Sequence, residues 1–268
     1  MSEPSRYHRL LLTGAAGGLG QVLRPRLKKY CKWLRVSDIA ELGAKADGEE
    51  LQIAPLEDKA TVRALLKGVD AVVHLGGIST EQPFETVLPA NIIGAFHLYE
   101  AARAHGVRRI VYASSNHVTG FYRQDEVVDP SMPMRPDGYY GLSKAFGENL
   151  AQLYFHRHGI ETVSLRIGSS YPEPRDRRML ATWLSYDDLE RLVVAALTAP
   201  DVGHTVVYGM SDNRPVWWKN PGAQVIGYAA HDSSEVFRAA VEQRQPVLDR
   251  NDPAAKYQGG PFVAMGPF

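Results

Sequence analysis

Along the first 170 residues, short apolar runs alternate with longer stretches whose apolar positions recur every three or four residues. The segment "HRLLLTGAAGGLGQVLRPRLKKY" contains one such pair, joined by a glycine-rich turn, and predicts a strand, a turn and a helix. "WLRVSD" and "DAVVHLGG" predict further strands, and "KATVRALLKGV" and "PANIIGAFHLYEAARAHG" predict helices. "RRIVYASS" and "TVSLRIGSS" add two strands on either side of the helix "YYGLSKAFGENLAQLYFHRHG". Alternation of this kind builds a mostly parallel sheet covered on both faces, so the expected class is α/β with a doubly wound sheet.

Beyond residue 170 the alternation weakens. "YPEPRDRRML" gathers prolines and arginines, and the shorter elements "YDDLERLVVAAL" and "GHTVVYG" follow. No tandem repeat or long linker interrupts the chain. The expected organisation is a single domain over 1-268, with a dinucleotide-binding core over 1-170 and a smaller substrate-covering part over 171-268.

Ligands of doubly wound sheets bind outside the carboxyl ends of the strands. Three of the predicted ends carry glycine or small polar residues: Gly76-Gly77-Ile78-Ser79, Ser114-Ser115-Asn116-His117 and Gly168-Ser169-Ser170. They are expected to meet in one cleft. In the first turn, Gly14, Gly17, Gly18 and Gly20, with Leu19 among them, let the backbone approach a pyrophosphate at a helix N-terminus. With the strand before and the helix after, the expectation is a Rossmann-type sheet; the spacing differs from G-x-G-x-x-G, and a purely structural glycine-rich turn is the alternative. Asp38 ends the second strand, where a carboxylate accepts from adenosine ribose hydroxyls and repels a 2′-phosphate, so NAD is expected over NADP. Such an aspartate also serves simply to start a turn.

Composition narrows the partners. Lys plus Arg and Asp plus Glu each number 30, and the sequence pI is about 7.1, which gives no field for nucleic acid or an anionic membrane. The polar N-terminus and the lack of a long apolar run lead to the expectation of a cytoplasmic protein. Cys31 is the single cysteine, which excludes an internal disulfide and a cysteine metal cluster, and no metal is expected.

Tyr140 and Lys144 stand four residues apart on one predicted helix, close enough to act on one ligand, whereas four residues after Tyr139 lies Ser143. With "TGAAGGLG", Asp38, "HLGG", Asn91 in "NIIG", "ASSNHVTG" and "YGLSK", the chain resembles the extended short-chain dehydrogenase/reductase (NAD-dependent epimerase/dehydratase) superfamily. The resemblance implies a catalytic set of Ser115, Tyr140 and Lys144. Tyr140 would take a hydroxyl proton as hydride leaves the same carbon, and Ser115 would hold the substrate oxygen. Lys144 would bind the nicotinamide ribose, and its ammonium would lower the phenol pKa from its ordinary value near 10. It also implies cofactor contacts from Leu56, Leu75, Gly76, Gly77 and Asn91. Asn91 would orient helix backbone or water near Lys144, or serve as a plain structural asparagine.

Longer matches, among them "LGGIS", "YEAARAHG", "RPDGYYGLSK", "RRMLATWLSYDD", "DNRPVWW" and "YQGG", resemble the uronate dehydrogenases over nearly the whole chain. What this implies is NAD-dependent oxidation of galacturonate or glucuronate at the hemiacetal carbon, giving an aldaric acid lactone, in a homo-oligomer. Ser79, Ser115, Asn116, His117, Tyr140 and Ser169 would meet sugar hydroxyls, and Arg178, with Arg175 and Arg177 as competitors, the carboxylate. One position departs from the pattern. Pro55 stands where the family carries an acidic residue for the adenine amino group, and leaves Leu56 to pack on adenine. Two alternatives stay open: a nucleotide-sugar epimerase or dehydratase holding NAD tightly, and a non-enzymatic NAD-sensing module. Trp217 and Trp218 are expected in the core.

Overall fold

The computed structural model describes residues 6–247, 249 and 251–266. Its first strand, β1 (Tyr7–Thr13), explains the architecture. Leu10, Leu11 and Leu12 are all fully buried, because Leu10 and Leu12 enter one hydrophobic cluster and Leu11 the other. Side chains alternate across a strand, so a continuous apolar run demands cover on both sides.

That cover is complete. The other strands are β2 (Cys31–Asp38), β3 (Glu49–Ile53), β4 (Ala71–His74), β5 (Arg109–Ser115), β6 (Glu161–Ile167) and β7 (His204–Gly209). They form one seven-stranded sheet in the order β3-β2-β1-β4-β5-β6-β7, with every pairing parallel. Helices α1 (Gly18–Leu27), α2 (Lys59–Leu65), α3 (Gly94–His105), α4 (Tyr139–His158) and α5 (Tyr186–Thr198) pack on it. Leu23 and Leu27 of α1 share a cluster with Leu189, Leu192 and Val193 of α5. Val62 of α2, Leu98 of α3 and Leu150 of α4 fill the cluster on the opposite face.

The expected boundary at residue 170 is redrawn by this topology. β7 pairs with β6 in register from Thr162 opposite His204 to Ile167 opposite Gly209, so it completes the main sheet rather than belonging to a covering part. α5 likewise belongs to the core. Two pieces remain over the carboxyl ends of the strands. One is the stretch after β6, where Ser169 and Ser170 pair with Trp183 and Leu184. The other is a C-terminal segment ending in the short turn Gly260–Ala264. Trp217 and Trp218 are buried as expected, and Trp218 stacks on Tyr208 at 4.7 Å while its Nε1 donates to Gln258 Oε1 at 2.8 Å.

Sheet order reverses between β1 and β4. The strand ends around that reversal open into a cavity of about 940 Å³.

Candidate active site

The glycine-rich turn makes one wall of this cavity. Gly14 has φ +69°, and a Cβ there would lie 2.7 Å from Gly76 N, so the turn needs glycine both for its backbone and for contact with the end of β4. At Gly20 a Cβ would collide with the Gly14 carbonyl, which fixes how closely α1 follows the turn. Gly17, Gly18, Leu19, Leu56, Leu75 and Gly77 line the same cavity. Asp38 joins them, with Oδ2 accepting from Ala16 N at 2.9 Å and Oδ1 from Ile39 N at 2.8 Å and Ala40 N at 3.1 Å. Its carboxylate therefore anchors the turn as well as facing the cavity. Arg35 faces elsewhere, pairing with Glu50 at 2.7 Å. A glycine cradle with a helix N-terminus and a strand-end carboxylate fits a dinucleotide.

Asn91 does not join the cavity wall. Its Oδ1 accepts from Ile78 N at 2.7 Å, and its Nδ2 donates to Ile78 O and to Ser143 Oγ, both at 2.9 Å. A wide helical turn over Leu88–Ile93 aims it inward, where it clamps the end of β4 to α4. The direct cofactor contact expected of Asn91 is thereby corrected to an indirect role, because every polar atom of its amide is already engaged.

At the centre lie Ser115, Tyr140 and Lys144, all buried and all lining the cavity. Ser115 ends β5 and accepts from His117 N at 3.2 Å, so it caps the following turn while facing the cleft. Lys144 Nζ is 5.7 Å from the Tyr140 ring centroid and 5.3 Å from that of Tyr112. Tyr139 points away from the cavity and packs edge-on against Phe84 at 5.6 Å. Burial pushes the Tyr140 phenol up to about 12, with Ser115 pulling it down and Asp137 raising it. Burial alone pulls Lys144 down to about 8. The expected lowering of the phenol by Lys144 is therefore outweighed by desolvation, which disfavours both charged forms.

The substrate end gathers polar groups. Ser79, Asn116, His117, Ser169 and Arg178 all line the cavity, Ser79 from its exposed rim. Arg178 Nε donates to Gln258 O at 2.7 Å and Nη1 to Ser169 Oγ at 3.2 Å. Asn116, with its amide oxygen turned toward Arg178, accepts from Nη2 at 2.7 Å and donates to Ile167 O at 3.1 Å. Among the described residues no carboxylate pairs with Arg178, and burial pulls its pKa below the usual arginine value. Its competitors differ. Arg177 is tied to Gln245 and Glu242, and Arg175 lies over the Tyr171 ring at 3.8 Å on the exposed side of the cleft.

Several contributors carried no local sequence signal. Glu81 is buried and accepts from Tyr139 N at 2.7 Å and Tyr140 N at 2.9 Å, capping α4 at the point where Tyr140 enters the cavity. Asp137 holds His117, and Phe262 stacks on the His117 ring at 4.0 Å. His74, fully buried, bonds Thr13 Oγ1 at 2.7 Å beneath the glycine turn, and burial holds it neutral with a pKa of about 3.

Residues 10–186 match the NAD dependent epimerase/dehydratase family. The chain is 62% identical to a uronate dehydrogenase of Pseudomonas syringae pv. tomato over 98% of this chain and 95% of that one. The chain belongs to this family, in its uronate dehydrogenase branch. As such it is an NAD-dependent oxidoreductase. A crystal structure of the Agrobacterium tumefaciens uronate dehydrogenase superposes with a TM-score of 0.95 at 48% identity, covering 98% of this chain and 99% of that one. A variant of that enzyme solved in complex with NAD matches to the same extent.

Proposed function

We propose that this protein oxidises a hexuronic acid, galacturonate or glucuronate, at its hemiacetal carbon and releases the aldaric acid lactone. The observation that carries the reading is Arg178, a guanidinium with no carboxylate partner among the described residues, set on the wall of the cavity that also holds Ser115, Tyr140 and Lys144. A half-buried cation without an anion is under-compensated, and a substrate carboxylate would relieve that. The relatives named for uronate oxidation support the same assignment.

In this proposal Arg178 grips the carboxylate at one end of the sugar and Ser115 holds the anomeric hydroxyl at the other. Bound NAD supplies the acceptor for the two electrons and hydrogen that leave the carbon. Tyr140 takes the hydroxyl proton, and Lys144 stabilises the phenolate that must exist beforehand. Loss of one C–H and one O–H bond leaves a ring carbonyl, which is the lactone. Asn116, His117 and Ser169 orient the remaining hydroxyls. The same reading carries a cytoplasmic setting, where NAD is drawn from a common pool, and assembly into a homo-oligomer that size-exclusion chromatography would test.

The deciding experiment is a panel of sugar acids, neutral sugars and nucleotide sugars with NAD, followed by NADH absorbance. Stoichiometric NADH from uronates alone is the expected result. Turnover of a nucleotide sugar without net NADH would replace this reading by an epimerase, and no turnover of any sugar would leave a binding module.

A further inference from the structure

Asp137 lies just before α4, and its side chain is completely buried with Oδ2 2.7 Å from His117 Nδ1. Three separate segments make room for it. At Gly120 and Gly259 a Cβ would collide with Oδ2, and at Gly141 it would come within 3.1 Å of Oδ1. The His117 ring is held on two further sides, stacked on Phe262 at 4.0 Å and edge-on to Tyr140 at 5.7 Å. It cannot turn about its axis without breaking the bond to Asp137.

A carboxylate only accepts hydrogen bonds, so Nδ1 must carry the proton, and a neutral ring then presents Nε2 as a bare lone pair. Burial lowers the His117 pKa, with Arg178 adding to that effect, while Asp137 and Glu81 oppose it. His117 lines the cavity, and among the described residues no protein group bonds Nε2. Lys144 and Arg178 can only donate, whereas serine hydroxyls serve either way. His117 thus supplies a dedicated acceptor.

We propose that Asp137 is a positioning residue that locks His117 in its Nδ1–H tautomer, so that Nε2 accepts from a sugar hydroxyl and rejects substrates lacking a donor there. The selective role rests on the sugar-acid reading above, whereas the lock itself does not.

Nitrogen-15 NMR of histidine-labelled, NAD-loaded enzyme near neutral pH reads the tautomer directly. The expected result is a protonated Nδ1 and a bare Nε2 for His117 in the wild type, with that preference lost in Asp137→Asn. A wild-type Nε2–H tautomer overturns the proposal whatever the substrate. With glucuronate, Asp137→Asn should raise KM by about tenfold while kcat changes by less than about threefold, the scale of one misdirected hydrogen bond. The double variant Asp137→Asn/His117→Ala should be no worse than His117→Ala alone. Losses that instead multiply would mean that Asp137 acts independently of His117, and the proposal falls. If the wild type shows the expected tautomer yet turns over no uronate, the lock stands and the sugar-acid reading fails.

Discussion

Glu81 Oε2 accepts the backbone N–H of Tyr140 at 2.9 Å across 59 positions of sequence, while Oε1 holds the N–H of Tyr139. Both are orphan donors at the start of α4, and a carboxylate there also meets the positive end of the helix. At Gly138 a Cβ would collide with the same carboxylate, so the approach is close as well as charged. Glu81→Ala leaves the buried Tyr140 N–H unsatisfied, at roughly 1–3 kcal/mol, and frees the part-buried Tyr139 N–H at a smaller cost. It should lower the melting temperature and reduce kcat, because Tyr140 loses its anchor. Glu81→Gln keeps one acceptor and should recover part of both. Full recovery in Glu81→Gln would show that side-chain volume, not acceptance of both N–H groups, is what matters at this position.

The adjacent tyrosines offer a sharper contrast. Tyr140→Phe keeps the ring and the packing but removes the proton acceptor, so turnover should fall by at least about a hundredfold with NAD binding retained. Tyr139→Phe should stay within about threefold of the wild type, since Tyr139 packs on Phe84 outside the cavity. Steady-state kinetics beside NAD titration separates the two, and comparable activity of both variants would remove Tyr140 from the chemistry.

A pH profile follows from the burial of the pair. Lys144 is pulled down to about 8 and Tyr140 pushed up to about 12. Accepting the substrate proton needs phenolate beside ammonium, which holds one proton fewer than phenol beside ammonium. Phenol beside amine has that same proton count, so the first proton lost by the pair, near pH 8, opens the competent state. kcat/KM should therefore rise with unit slope as pH increases and level off above about pH 8. A decline between about pH 6 and 8 would mean that the pair must keep its proton, contrary to a base role for Tyr140.

Asp38 has two duties in this structure, and its removal should expose both. Asp38→Ala frees Ala16 N from its 2.9 Å bond and loosens the glycine turn, so NAD affinity should drop. Removing the negative charge also relieves repulsion of a 2′-phosphate, so the ratio of kcat/KM values should move toward NADP. A weaker enzyme with an unchanged ratio would assign Asp38 to the turn alone.

How far the sequence revealed this site depended on whether the signal was local. The glycines at 14, 17 and 20 and the Tyr140–Lys144 spacing are short-range patterns, and the backbone reproduces them directly. Glu81, Asp137 and Gln258 sit in irregular segments, and each matters only through a residue far along the chain. Gln258, fully buried, receives Trp218 Nε1 and donates to the Arg123 and Glu126 carbonyls, which no periodicity announces. "YDDLERLVVAAL" reads in the sequence only as a shorter element, and its place as a helix on one face of the main sheet depends on contacts with α1 far along the chain. The proton affinity of Tyr140 is likewise not a local property. Adjacency to Lys144 is written in the sequence, whereas desolvation depends on everything folded around it.

Arg178 carries the most exposed expectation. Its guanidinium has five N–H donors, of which Nε serves Gln258 O, one on Nη1 serves Ser169 and one on Nη2 serves Asn116. One donor is left on each terminal nitrogen, the number a carboxylate uses in a paired, charge-assisted bond. Such a bond contributes on the order of 1.5–3 kcal/mol, so Arg178→Ala should cost roughly ten- to a hundredfold or more in kcat/KM for glucuronate. Arg178→Lys should recover little, because an ammonium cannot reproduce the planar fork. Glucose, which lacks the carboxylate, provides the control: the variants should lose the preference for glucuronate over glucose while binding NAD as before. If Arg178→Ala still prefers glucuronate by the wild-type margin, the carboxylate is held elsewhere. Arg175, stacked at 3.8 Å over Tyr171 on the same cavity, is then the next side chain to replace.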